Sequence, residues 1–308
     1  MRCPGLGKAQ KYRTRFTEAC GTGEPPVPQG GRAQGMKLSV VLSTHAARFE
    51  AATLKGDLQA NLERIATWGY DGVELAIRDP RLVDADELVL ALSKNRLVVP
   101  AIGTGQAWGE ERLSFTDPKP EVRAAALARL KNHVPLAARL GAVIVVGLLR
   151  GVAQPGVSGD QADDWIMAAL AAGSEFAAKA GVRLALEPIN RYETPFANTV
   201  DEGLDLIRRV GAPNLGLLLD TFHMNIEEPS IEESIRAAAD HIFHFHVADS
   251  NRWYPGAGHL DFASILATLS SAGYGGFVCG EFLPRPDAQT AAMRSISHLR
   301  PLLSQLSR

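Results

Sequence analysis

The chain has 308 residues, of which 46% are hydrophobic and 21% charged, and its formal charge at neutral pH is −2. That balance describes an ordinary soluble globular protein with enough apolar material for a large core, and it leaves no basic footprint for nucleic acid. No run approaches the roughly 18 apolar residues that a membrane span needs. Of the three cysteines, Cys3 and Cys20 fall in the N-terminal stretch, so Cys279 has no disulfide partner in the folded part. A reducing, cytoplasmic location is the expectation.

Residues 1–35 are rich in Gly, Pro and charge and hold no apolar segment that could serve as a signal peptide. The composition predicts a disordered tail, or an upstream start before Met36, rather than a targeting or partner-binding arm. A single domain over 36–308 is expected to follow. Strand-like apolar runs come at 37–43, 72–77, 97–102, 142–149, 182–187, 214–220, 241–247 and 276–281, and helix-like stretches at 57–68, 84–95, 120–140, 160–179, 199–210, 230–239, 261–272 and 287–305. Cap signals open several helices, such as Asp57, Thr199 with Glu202, and Ser230 with Glu233. Glycines close others. Near-continuously apolar strands alternating with helices predict an α/β fold, a parallel (β/α)8 TIM barrel. An open doubly wound sheet fits less well, because the first strand runs into STHAARFEA without a glycine-rich phosphate loop.

Four side chains with metal-binding chemistry end consecutive strand-like runs. They are Glu187 in LALEP, Asp220 in LGLLLD, His246 in IFHFHVAD and Glu281 in GFVCGEF. Each gap between them is about one strand–loop–helix unit long. A barrel carries its chemistry at the carboxyl ends of its strands, so successive units would aim these groups at one point. Any one of them alone would read as a surface residue; four in register point to a site. His244 shares a strand face with His246 and is expected deeper in the barrel, hydrogen-bonded rather than ligating. Three carboxylates and one imidazole suit manganese best, or magnesium or cobalt, rather than zinc on Cys and His.

The loops after these strands carry a resemblance. LEPINRYET (186–194), LDTFHMNIEE (219–228), HFHVADSNRWYPGAGHLDF (244–262) and GEF (280–282) resemble the ketose 3-epimerases of the xylose-isomerase-like barrels, the tagatose and psicose 3-epimerase type. KLSVVLST (37–44), AIRDP (76–80), AIGTGQA (101–107) and GLLRG (147–151) are closest to the 5-keto-L-gluconate epimerases. The resemblance covers residue 36 to about residue 300. It implies one divalent metal per subunit on Glu187, Asp220, His246 and Glu281, with Glu187 and Glu281 also the acid/base pair. Glu193, His223 and Arg252 match residues that hold the carbonyl end of the substrate. A homo-oligomer, dimer or tetramer, is implied too.

The implied reaction makes chemical sense. Inverting a carbinol carbon beside a ketone means removing a weakly acidic proton from one face and returning one to the other. A metal chelated by the carbonyl and the neighbouring hydroxyl would stabilise the enediolate as a Lewis acid. Two carboxylates on opposite strands would serve the two faces. His223, in the loop after Asp220, would reach a substrate oxygen, and Arg252 would either bind the enolate oxygen or pair with Asp249. Trp253 in SNRW departs from many sugar epimerases, and Arg78 and Arg150 follow the second and fourth strands. Bidentate guanidinium groups there would suit a sugar-acid carboxylate, so a keto-sugar acid is expected beside a neutral ketose. Gln106 and Trp108 are expected to line the pocket. The competing functions are an aldose–ketose isomerase of hydroxypyruvate type, an endonuclease of the same superfamily (which would need more ligands and a basic face) and a non-enzymatic sugar-binding barrel.

Overall fold

A computed structural model describes residues 35–306. Apart from Gly35, the extension read over residues 1–35 lies outside the described residues. Eight parallel strands are β1 Lys37–Ser43, β2 Gly72–Ala76, β3 Ala101–Gly103, β4 Val143–Val146, β5 Leu184–Leu186, β6 Leu215–Asp220, β7 Ile242–Val247 and β8 Phe277–Gly280. Each pairs with the next, and β8 pairs back onto β1, with Lys37 opposite Phe277 and Val40 opposite Gly280. The sheet is therefore closed, as the alternating pattern predicts. A two-residue strand, Leu54–Lys55, runs beside the end of β1.

The helices are α1 Leu58–Thr67, α2 Ala85–Asn95, α3 Gly105–Glu111, α4 Pro120–Leu140, α5 Gly159–Ala178, α6 Val200–Val210, α7 Thr221–Glu227, α8 Ile231–Ala238, α9 Phe262–Ser271 and α10 Ala288–Leu306. The expected caps form: Asp57 accepts from the Ala60 N–H, Ser230 from Glu233, and Thr199 with Glu202 makes a capping box. Two short helices, α3 and α7, stand where the sequence suggested loops. At seven residues each they are too short to show a helical period. The third strand starts at Ala101 rather than 97 because Pro100 has no N–H to give the ladder. The fourth stops at Val146, and Leu148–Arg150 turns into a 3₁₀ helix.

Alternation along the strands sorts the core into two layers. Ile144, Val146, Leu184, Leu186, Leu217 and Leu219 pack outward under the helices. Ala101, Val143, Val145, Ala185 and Leu218 point inward and fill the barrel itself. Nearer the carboxyl end the inward positions turn polar, and there the candidate site begins. Among the described residues no helix is long and apolar enough to cross a membrane.

Candidate active site at the carboxyl end of the barrel

Glu187 directly follows β5, Asp220 is the last residue of β6, His246 is the penultimate residue of β7, and Glu281 directly follows β8. One ligand atom from each lies within 4.8 Å of the others. The irregular register between β6 and β7, where Leu217 faces Ile242 but Leu218 faces His244, brings Asp220 opposite His246. Gly147 makes room for the cluster, since a Cβ there would sit 2.7 Å from the Glu187 carboxylate.

Two buried atoms test whether this set fits a cation. Asp220 spends one carboxylate oxygen on the Phe222 N–H at 2.8 Å, which caps α7, and its other oxygen has no hydrogen-bond partner. His246 Nδ1 is likewise buried and unpartnered, 3.7 Å from Glu281 Oε2. Burial and the neighbouring Glu281 push Glu187 well above the usual carboxylate range. Burial also pushes Asp220 up to about 6; Glu281 adds to this and His246 opposes it. Three carboxylates converging with one imidazole, two of them buried and resisting the loss of their protons, with an orphaned oxygen and an orphaned nitrogen, fit a divalent cation well.

Behind His246 stands a residue that the sequence did not single out. Glu74, in the middle of β2 and 2% exposed, accepts from Nε2 of both His244 and His246, each at 2.8 Å. His244 is thus a hydrogen-bonded residue deeper in the barrel, as expected. Burial opposes the Glu74 charge, but the two histidines hold the carboxyl far below its ordinary range. For His246, burial disfavours the charged ring, and Glu74 with Glu281 more than offsets it, raising the ring well above its usual value. The signal that could have found Glu74 was a lone carboxylate inside the apolar run GVELAI, since a buried charge needs a partner.

His223 lies in α7, not in a loop, and is buried. Its Nδ1 sits 2.7 Å from the Asn190 amide nitrogen, so Nδ1 accepts and the Nε2–H faces Glu187 at 3.7 Å and Asp220 at 3.9 Å. Burial, reinforced by Arg252 and Arg150, keeps the ring well below its ordinary value and therefore neutral. Asn190, also missed in the sequence, donates to Glu193 as well, at 3.2 Å. Arg252 does not pair with Asp249. Its guanidinium reaches Glu193 at 3.0 Å and Glu281 at 3.8 Å, and lies over the Phe222 and Phe49 rings. Its backbone sits at φ 61°, a left-handed conformation that costs a non-glycine residue of order 1 kcal/mol. The Asp249 carboxylate instead gathers the N–H groups of Ser250, Gly256 and Leu260, which shapes the loop that holds Arg252 there.

A cavity opens over this cluster, lined by Glu187, Glu193, His223, His246, Arg252 and Glu281, and also by Phe49, Gln106, Trp108, Leu148 and Ile189. Gln106 and Trp108 thus line it, as expected. Gln106 is anchored by its amide nitrogen to Ser43 Oγ at 2.6 Å, and its buried amide oxygen has no partner.

The two rim arginines are a correction. Arg150 is fully buried and aims away from the cavity: its guanidinium is taken up by the carbonyl oxygens of Gly147, Glu187, Phe196 and Ala197. The 3₁₀ turn at Leu148–Arg150 swings it inward, so it braces the backbone of Glu187 and is closed to a substrate carboxylate. Arg78 faces Glu111 at 3.4 Å and does not line the cavity. Arg252 is the one lysine or arginine among the lining residues.

With fold and site in place, comparison with known proteins defines the class. The family model described as "Xylose isomerase-like TIM barrel" matches residues 62–302, and the chain belongs to that family. An L-ribulose 3-epimerase of Mesorhizobium japonicum is 35% identical over 235 residues, 76% of this chain and 78% of that protein. A D-psicose 3-epimerase of Ruminiclostridium cellulolyticum is 30% identical, over 74% of this chain and 78% of that one. A solved structure of an L-ribulose 3-epimerase superimposes with a TM-score of 0.76 at 27% identity, covering 89% of this chain and 96% of the other.

Proposed function

We propose that this chain is a metal-dependent epimerase, an isomerase that inverts the carbinol carbon next to the ketone of a neutral ketose. The observation that carries this reading is the meeting of Glu187 and Glu281, from β5 and β8, in one cluster whose ligand atoms lie within 4.8 Å. Two carboxylates at one centre can serve the two faces of one carbon, each contributing roughly 10²–10⁴-fold. Glu187, Asp220, His246 and Glu281 would hold one divalent cation, with manganese the preferred ion for an oxygen-rich set and magnesium or cobalt next. When bound, the cation acts as a Lewis acid and acidifies the proton beside the carbonyl.

The protein's own groups do the rest. One of Glu187 and Glu281 takes the proton, and the other returns one on the opposite face. The Nε2–H of neutral His223 and the Arg252 guanidinium donate to substrate oxygens, while Glu193 holds Arg252 in place and accepts from a hydroxyl. The apolar wall of Phe49, Trp108, Leu148 and Ile189 keeps bulk water off the reacting carbon.

A neutral ketose is favoured over a keto-sugar acid of the 5-keto-L-gluconate type. Among the described lining residues Arg252 is the one guanidinium, and Glu193 and Glu281 offset its charge, so a substrate carboxylate would meet no uncompensated side-chain cation. The relatives named above for L-ribulose and D-psicose accord with this. A homo-oligomer in the cytoplasm, with Cys279 kept reduced, belongs to the same reading, and light scattering of the purified chain gives its subunit count.

The test is proton NMR of the manganese-loaded protein in heavy water with ketopentoses, ketohexoses and keto-sugar acids. Deuterium entering only at the carbon next to the ketone, with formation of the epimer, is the expected result. Label at the second carbon of an aldose would make the protein an isomerase of hydroxypyruvate type, and exchange with no sugar would overturn the reading.

A further inference from the structure

We infer that Glu74 is a positioning residue for the cation site: it fixes which nitrogen of His246 carries the proton and so presents Nδ1 to the cation. This rests on the reading that Glu187, Asp220, His246 and Glu281 take a divalent ion. The geometry is fully buried. Glu74 Oε2 lies 2.8 Å from His246 Nε2 and 2.8 Å from His244 Nε2, and all three side chains are at most 2% exposed. An ionised carboxylate can only accept, so the hydrogen must sit on Nε2 of each ring. When the ring gives up its second proton to take a cation, the other nitrogen carries the lone pair. For His246 that nitrogen is the unpartnered Nδ1, on the side of Glu281.

Without Glu74 the two tautomers of His246 would be close in energy, and the one bearing hydrogen on Nδ1 cannot bind a cation. The carboxylate also makes the ring a stronger donor. Partners of this kind behind a ligating histidine typically carry 10–100-fold in metal affinity. His244 gives the clamp its second arm: its ring stands edge-on to His246, centroids 5.2 Å apart, and its bond to the same oxygen stops the carboxylate from swinging away.

A rival reading of these residues exists. Glu74, His244, His246 and Cys279 also bring one ligand atom each within 4.8 Å of the others, which would make a second metal site. The two short bonds to Glu74 oppose it, because both imidazole Nε2 atoms already donate to the oxygen that a metal would need. Cys279 is fully buried in the barrel, where desolvation favours the neutral thiol over the thiolate a metal binds.

The experiment uses the full chain stripped of metal, titrated with manganese chloride by calorimetry, for wild type and Glu74→Gln. One manganese per chain is expected for both, with affinity 10–100-fold weaker in the variant. Equal affinities, within about twofold, in a folded Glu74→Gln protein would overturn the inference, as would two ions per wild-type chain. Should the variant fail to fold, long-range ¹H–¹⁵N NMR of the magnesium-loaded wild type decides alone. A proton on His246 Nε2 supports the inference, and one on Nδ1 sinks it. Neither readout uses substrate, so a chain that binds one ion as described but epimerises no sugar would fail only the functional proposal. A wild type that binds no divalent ion overturns both.

Discussion

Glu187, Asp220, His246 and Glu281 stand at or just past the carboxyl ends of β5–β8, whereas the loops and strands of the β1–β4 half bring Phe49, Gly103, Gln106, Trp108 and Leu148 to the cavity above them. One half supplies the carboxylates and imidazoles, and the other a mostly apolar wall with a single unpartnered amide oxygen on Gln106. Glu74 is the exception that joins them, reaching from β2 across the barrel to two histidines of β7. The lesson is a separation of reaction from recognition. Changes in β5–β8 should alter the rate of chemistry, and changes in β1–β4 should alter which sugar is held.

The sharpest way to break that contrast is Glu281→Gln. Turnover should fall roughly 10²–10⁴-fold because one face of the carbon loses its acid/base group. Single-turnover kinetics and deuterium exchange would show it, and a variant with wild-type turnover would end the two-carboxylate scheme. Arg150→Met comes next. It should leave the preference between ketoses and keto-acids untouched and lower stability by about 2 kcal/mol, because buried carbonyls of Glu187, Phe196 and Ala197 lose their donor. Urea denaturation and a substrate panel measure the two halves of that statement. Trp108→Ala, on the recognition side, should raise KM for ketohexoses about tenfold, as lost apolar contact of about 1.4 kcal/mol would, with kcat nearly unchanged. A fall in kcat instead would blur the division.

The smallest effect lies outside the cavity. The hydrogen bond from Arg81 holds the Asp79 carboxyl at about 2, aided by Arg129 and opposed by burial. A depressed carboxylate contributes stability that is present above its unfolded value of roughly 3.9 and fades as pH falls toward 2. Asp79→Asn should therefore flatten the fall in stability between about pH 4 and pH 2, seen as a smaller shift in thermal midpoint over that interval. The same fall in both proteins would show that Asp79 has no part in it.

The four strand-end residues were legible because barrel topology converts a spacing of one βα unit into convergence at one rim. Their positions needed no knowledge of side-chain direction beyond strand polarity. Arg150 was misread for the converse reason: it follows β4, but a three-residue 3₁₀ turn reverses the side chain into the protein, and no periodicity announces such a turn. His223 was placed correctly beside Asp220, although its seven-residue helix was not foreseen.

The sequence by itself determined the closed barrel, the order of its strands and which four residues end the last four of them. These follow from apolar patterning and from chain-order rules that act locally, unit by unit. Only the tertiary structure decided the partners: that Glu74 meets histidines 170 and 172 residues away, that Asn190 and His223 share a proton direction, and that Arg252 rather than Arg150 faces the cavity. Such pairings depend on how the sheet closes and how each loop turns its side chains. A buried charge chooses its partner by proximity in space, which the linear order of residues does not contain.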